Sequence, residues 1–350
     1  MQISVKTRLG AVIAGGVLML NGCSAGYLLK QGYGQASLLF QRESMEAART
    51  DTRLSDEQRQ RLDVVTGAKA YAIRTIGLKE SASYDKVIVL DRSAVTYVVS
   101  GAPKDKLEPY LWHFPVVGAV PYKGFFDRSE AIAEQEGLKA KGFDTYLRGV
   151  AAFSLLGWIP DPLYSPLLKY EPPVLANTII HELTHGTVFL KGASSFNEGF
   201  ATFVGNQGGI GYMRERYGPD SAEARYAEGM VRDERKFTAF LQDLGAELRA
   251  LYGSSRMSEE KLSAREKVFA EAQAQFALIP FETDHFAWFG KATLNNAFLM
   301  TLLTYQSNAD RFEKVYDRLG RDLKAMVQFF RDQVAKQPDP EAYLDGWLKG

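Results

Sequence analysis

Apolar residues recur at three- and four-residue steps through residues 27–49 and 55–76, and Asp51 to Asp56 supply capping groups between the two runs. That period predicts two amphipathic helices. β-Branched runs at 86–90 and 94–99, separated by Asp91-Arg92-Ser93, predict a hairpin that starts a small sheet. Residues 114–118 and 121–126 read as loops, 129–141 as a helix, and 150–156 as a further strand that Pro160 and Pro162 terminate. Pro172-Pro173 opens a helix predicted to run to about Leu190, where Lys191-Gly192 closes it. Residues 221–276 are almost wholly helical in pattern, with one break at Gly253-Ser254-Ser255. Within them Phe237, Leu241, Leu244, Leu248 and Leu251 form a heptad-like seam, which predicts an antiparallel helical hairpin packed on itself or on the body. Further helices are expected at 293–305, 309–319 and 322–335, followed by a tail holding Pro338 and Pro340. The fold class that follows is α+β, predominantly α.

The first residues have a different pattern. Lys6 and Arg8 precede twelve apolar or glycine residues, 9–20, too few for the roughly 20 that a bilayer span needs. The layout is that of a secretory signal. Leu20-Asn21-Gly22-Cys23 resembles a lipobox, which implies a signal peptide over 1–22 and a mature chain over 23–350 that starts at a lipidated Cys23. Two or three acyl chains hold a soluble domain on a membrane, whereas one is marginal. Ser24, by resemblance to Gram-negative lipoproteins, implies the outer membrane and a periplasmic face. An ordinary signal peptide with an incidental cysteine is the alternative.

Composition narrows the chemistry. Lys plus Arg and Asp plus Glu both number 42, so no global field favours phosphate backbones and no nucleic-acid partner is expected. The single cysteine excludes an intramolecular disulfide and a cysteine metal cluster. With 350 residues, 46% of them hydrophobic, the chain can form one large domain or two smaller ones with a buried core, and stability comes from packing.

Two of the four histidines fall in His181-Glu182-Leu183-Thr184-His185, inside the helix that follows Pro173. Positions i and i+4 share a helical face, so both imidazoles can reach one metal ion, and Glu182 beside them can take a proton from a water on that metal. The competing reading makes His181 and His185 satisfied core histidines among Ile179, Ile180, Leu183 and Val188. Asn197-Glu198-Gly199-Phe200-Ala201 follows with twelve residues between His185 and Glu198, room for one turn and the start of a second helix. Glu198 is then the third ligand, and two His plus one Glu leave a coordination position for water and substrate. Ser195-Phe196-Asn197-Glu198 also fits a capping box, which would give Glu198 a purely local role.

These motifs resemble those of gluzincin metallopeptidases, and the Asn-Glu-Gly-Phe-Ala stretch is similar to that of alanyl aminopeptidases, whose gap is longer. Residues 114–126, 152–163 and Asn295-Asn296-Ala297 with Thr304-Tyr305 extend the resemblance to the bacterial predicted zinc aminopeptidase lipoproteins over most of the mature chain. The resemblance implies a gluzincin-like fold with one Zn2+ and a zinc peptidase, either an aminopeptidase acting on peptides in the periplasm or an endopeptidase. It also implies a downstream oxyanion donor. His285, with Asp284 beside it, leads by chain order, and Tyr212, Tyr217 and Tyr305 are rivals; a histidine packed between Phe281 and Phe286 is the plainer reading. By analogy the strand at 150–156 is the edge along which an extended peptide lies. His113 is read as structural and the glycine-rich run 205–211 as a flexible turn near the cleft. A rival from another class is a non-catalytic envelope module whose hairpin, 221–276, docks an unknown protein partner.

Overall fold

The computed structural model describes residues 22–114, 118–151, 160–303 and 309–349. Most of the predicted signal segment therefore lies outside the described residues. Cys23 falls in the first turn of α1 (Gly22–Leu39). No helix among the described residues is long and apolar enough to cross a membrane. The first predicted helix is divided: α1 ends at Leu39, β1 (Glu43–Ser44) follows, and Ser44 then caps α2 (Met45–Thr50) by accepting from Ala47 N. α3 (Asp56–Tyr71) starts on a capping box of Ser55 and Gln58 and ends in a π turn over Ala72–Ile76.

The expected hairpin at 86–99 does not form. β2 (Lys86–Ile88) lies between β1 and the parallel β8 (Leu163–Tyr164). β3 (Thr96–Ala102) enters a different sheet, between β6 (Lys123–Phe125) and the seven-residue β7 (Asp144–Val150), both antiparallel to it. Arg92 separates them by donating to Phe126 O and Val95 O, which turns the connection toward β6. The stretch read as loops supplies β6 and the pair β4 (Trp112–Phe114) and β5 (Gly118–Val120). α4 (Arg128–Ala140) closes one side of β3 and β7. The predicted strand at 150–156 begins where β7 ends, and its remainder from 152 lies outside the described residues.

The main core surrounds two long helices. Pro172 and Pro173 open α5 (Pro172–His185), where a missing N–H costs nothing because first-turn donors have no helical partner. α5 stops earlier than predicted, since the chain turns at Gly186 and Thr187 and the Thr187 hydroxyl donates back to Leu183 O. α6 (Ser194–Tyr217) then packs along α5, anchored by the fully buried Phe196 and Phe200 against Phe312 and Phe330.

The glycine-rich run is not a turn. It lies within α6 and allows that helix to approach its neighbours. A Cβ at Gly205 would sit 3.0 Å from Asn177 O and 3.1 Å from the His181 Cβ, and one at Gly208 would sit 3.0 Å from the Ile180 Cγ2. Helical glycine costs about 0.5–1 kcal/mol relative to alanine, so helix propensity alone favours replacement. Contact geometry reverses the sign. Gly205→Val is expected to destabilise the protein by about 1–3 kcal/mol through overpacking, measured by chemical denaturation; a raised midpoint would contradict the packing role.

α7 (Ala222–Gly253) and α8 (Ser258–Phe276) form the antiparallel hairpin. Its seam is shared rather than private. Phe237, Leu241, Leu244 and Leu248 meet Phe269 and Phe276 of α8 but also Phe286, Phe289 and Phe298 in a second core. Arg265 of α8 donates to Asp144 Oδ2 of β7 at 2.7 Å, and both side chains are buried. Asn296, at the start of α9 (Asn296–Leu303), donates its backbone N–H to the same carboxylate and its amide to three carbonyls over 103–106. The hairpin is therefore built into the body. α10 (Ala309–Arg318) and α11 (Leu323–Asp332) follow, and the expected tail forms α12 (Pro340–Lys349), with Leu344 buried in the main core and the Trp347 ring 4.6 Å from that of Phe329.

Candidate metal centre

One helical turn separates His181 and His185, and their Nε2 atoms converge to 3.2 Å. Glu198, in the first turns of α6, meets both: Oε2 lies 3.5 Å from His181 Nε2 and Oε1 3.5 Å from His185 Nε2. Among the described residues these three side chains form the group able to hold a metal, with one ligand atom from each lying within 4.8 Å of the others. Metal–ligand bonds of about 2.0–2.2 Å at tetrahedral angles place ligand atoms roughly 3.3–3.6 Å apart, so the spacings fit a tetrahedral zinc site with a fourth position for water or substrate.

The turn between the helices is held by Asn197. Its Oδ1 accepts from Leu190 N and its Nδ2 donates to Leu190 O, both at 2.8 Å and buried. This clamp fixes the residue before Glu198 against the segment that leaves α5. The proposed capping box does not form: Ala193 occupies the N-cap without a side-chain bond, and Glu198 sits inside the helix facing the histidines.

Electrostatics favour metal-ready protonation states. Burial, reinforced by the neighbouring His181 and opposed by Glu198, pushes the His185 imidazole down to about 4. Burial alone would raise Glu198, but a hydrogen bond from His181 and the charges of both histidines bring it below the usual carboxylate range. His185 is thus neutral and Glu198 ionised at neutral pH, as ligation requires. Glu182 goes the other way. Burial raises it, with Glu198 and Asp161 adding repulsion and His181 opposing.

Two features of this neighbourhood have no local signal in the sequence. Tyr84 is buried with φ +65°, a left-handed conformation costly for a bulky residue, held by a 2.7 Å bond from its N–H to Asp161 O. Burial, then the carboxylates of Glu182 and Asp161, raises its phenol well above the ordinary value. The second is an amide chain: Asn177, one turn before His181, donates to Asn206 Oδ1 at 2.6 Å, and Asn206 donates to Glu234 Oε2 at 2.5 Å. Asn177 lies four residues before His181, but its partners Asn206 and Glu234 lie far along the chain.

The oxyanion candidates separate. Tyr212 and Tyr217 lie on α6 beyond Glu198 by fourteen and nineteen residues, about 21 and 28 Å along a helix, and Tyr212 is buried on Tyr71 with its hydroxyl near Arg216. Neither reaches the metal group. Tyr305 lies outside the described residues. His285 does not join the three-ligand group; it sits in a loop held to α7, where the buried Asp233 accepts from Glu282 N, Thr283 N and Thr283 Oγ1. Its ring rests on Phe286, and burial lowers the imidazole against the opposing charges of Asp284 and Asp233. His113 lies exposed on β4, away from these residues in the chain and paired with Ala119.

No curated protein and no solved structure matches the chain. A family model does, over residues 26–342, which include both helices of the metal group and the hairpin. That match spans nearly the whole chain, stopping within the first turn of α12, and on it the protein belongs to the family described as "Putative aminopeptidase".

Proposed function

We propose that this protein is a zinc-dependent peptidase that releases N-terminal residues from peptides, anchored through Cys23 to the outer membrane and facing the periplasm. The observation that carries the reading is the convergence of His181, His185 and Glu198 with Glu182 on the same helix. When bound there, zinc supplies Lewis-acid polarisation of the scissile carbonyl and acidification of water.

The chain's own residues do the rest. His181, His185 and Glu198 hold the ion. Glu182 accepts the proton of the attacking water and passes it to the leaving amine, and its raised proton affinity suits both halves of that transfer. His285, in the loop that Asp233 clasps, is the proposed donor to the carbonyl oxygen as negative charge develops. β7, at the edge of its sheet among the described residues, offers main-chain groups of the kind that bind an extended peptide.

The reading is tested by chelation. Removal of metal is expected to abolish hydrolysis of aminoacyl substrates, and one equivalent of zinc is expected to restore it. Hydrolysis undiminished in the metal-free protein would contradict the proposal.

A further inference from the structure

Beside α6, on its face toward α7, α10 and α12, lies a cavity of about 750 Å³. Its wall includes Gly199, next in the chain to Glu198, and Thr202, one turn further, so it reaches the helix that carries the third ligand. Pockets of this size hold small ligands or one or two residues of a peptide. Two of the four α10 charges on the cavity wall are paired, Glu313 with Arg235 at 2.9 Å, and Arg311 with Glu341 and Asp345, each at 3.1 Å; Asp310 and Lys314 line it as well.

Glu234, on the α7 wall, differs from them. Among the described residues no cation lies within ion-pair distance of it, and the bond from Asn206 is the hydrogen bond that holds it. That bond takes Oε2 and, through Asn177, ties it to the turn of α5 preceding His181. A partly buried carboxylate is thus pinned in one orientation, with no partner for Oε1 among the described residues, at the wall of a cavity that begins beside Glu198. A buried carboxylate is favourable when a cation pairs with it.

We infer that Glu234 receives the α-ammonium of a peptide, which makes this cavity the pocket for the N-terminal residue. The inference rests on the peptidase reading above and deepens it, because a carboxylate that must be paired with a free amine selects exopeptidase over endopeptidase action. An N-acetylated peptide brings no charge to Glu234 and leaves it unpaired.

The test compares the zinc-loaded protein on an aminoacyl amide and on its N-acetyl counterpart, with Glu234→Gln alongside. The free amine is expected to be cleaved and the acetylated one not; Glu234→Gln is expected to raise KM about 10- to 100-fold, the loss of a charge-assisted bond, with zinc content unchanged. A second measurement needs no turnover: calorimetry of a free dipeptide binding to zinc-loaded Glu182→Gln, expected to be lost on adding Glu234→Gln. Equal cleavage of both substrates would overturn the inference and leave the peptidase reading standing, as would loss of zinc in Glu234→Gln, which would make Glu234 a support of the metal group. If no peptide is cleaved the peptidase reading fails, and the calorimetry then decides separately whether Glu234 takes an amine.

Discussion

Glu182→Gln is expected to bind one equivalent of zinc as the parent does and to lose peptide hydrolysis by about 10²- to 10⁴-fold, the range of a general base. The amide has the shape of the carboxylate and leaves His181, His185 and Glu198 in place, but it cannot take a proton from water. It also removes a buried charge from the neighbourhood of Glu198 and Asp161, both of which repel it. The variant should therefore unfold at a temperature no lower than the parent, which separates lost chemistry from lost fold. Turnover retained in the zinc-loaded variant would contradict the general-base assignment.

The largest stability effect is expected at Asp233. Its side chain is fully buried, and its two oxygens accept from the backbone N–H groups of Glu282 and Thr283, from the Thr283 hydroxyl and from Lys236. Asp233→Ala leaves those donors without their acceptor inside the protein, at a cost of about 3–5 kcal/mol, as for a broken buried charge pair. The same change frees the loop that carries His285. The pH dependence follows from the direction of the shift. Burial would raise the Asp233 carboxyl, but the bonds from Glu282, Thr283 and Lys236 overcome it and hold it below the ordinary value. Its contribution is thus present above the unfolded pKa of about 3.9 and fades as pH falls through the lower folded value. Denaturation of parent and variant across pH 2 to 7 should show the gap narrowing only at the acid end; a gap independent of pH would contradict a charged acceptor.

How much of this was legible in the sequence depends on how local the signal is. His181, Glu182 and His185 are related by helical spacing, and the short segment before Glu198 limits how far it can lie from them, so the group could be read from the chain. The hairpin of α7 and α8 was equally plain, because a heptad-like seam persists over many residues. Strand pairing was not. Residues 86–90 and 94–99 look like hairpin partners locally, yet β2 pairs with β8 some 75 residues away and β3 with β7, choices made by long-range packing. The run 205–211 read as a turn because glycine is a poor helix former in isolation; only the closeness of Asn177 and Ile180 shows why α6 needs it. Glu234 is one of many acidic residues on a long helix, and nothing in its surroundings in the chain announces the bond to Asn206.

The central claim, a three-ligand zinc site, is most directly tested by zinc content per protein in the parent and in Glu198→Ala. One equivalent is predicted in the parent and none in the variant, with unchanged circular dichroism in both. No zinc in the parent after reconstitution, or a full equivalent in Glu198→Ala, would contradict it.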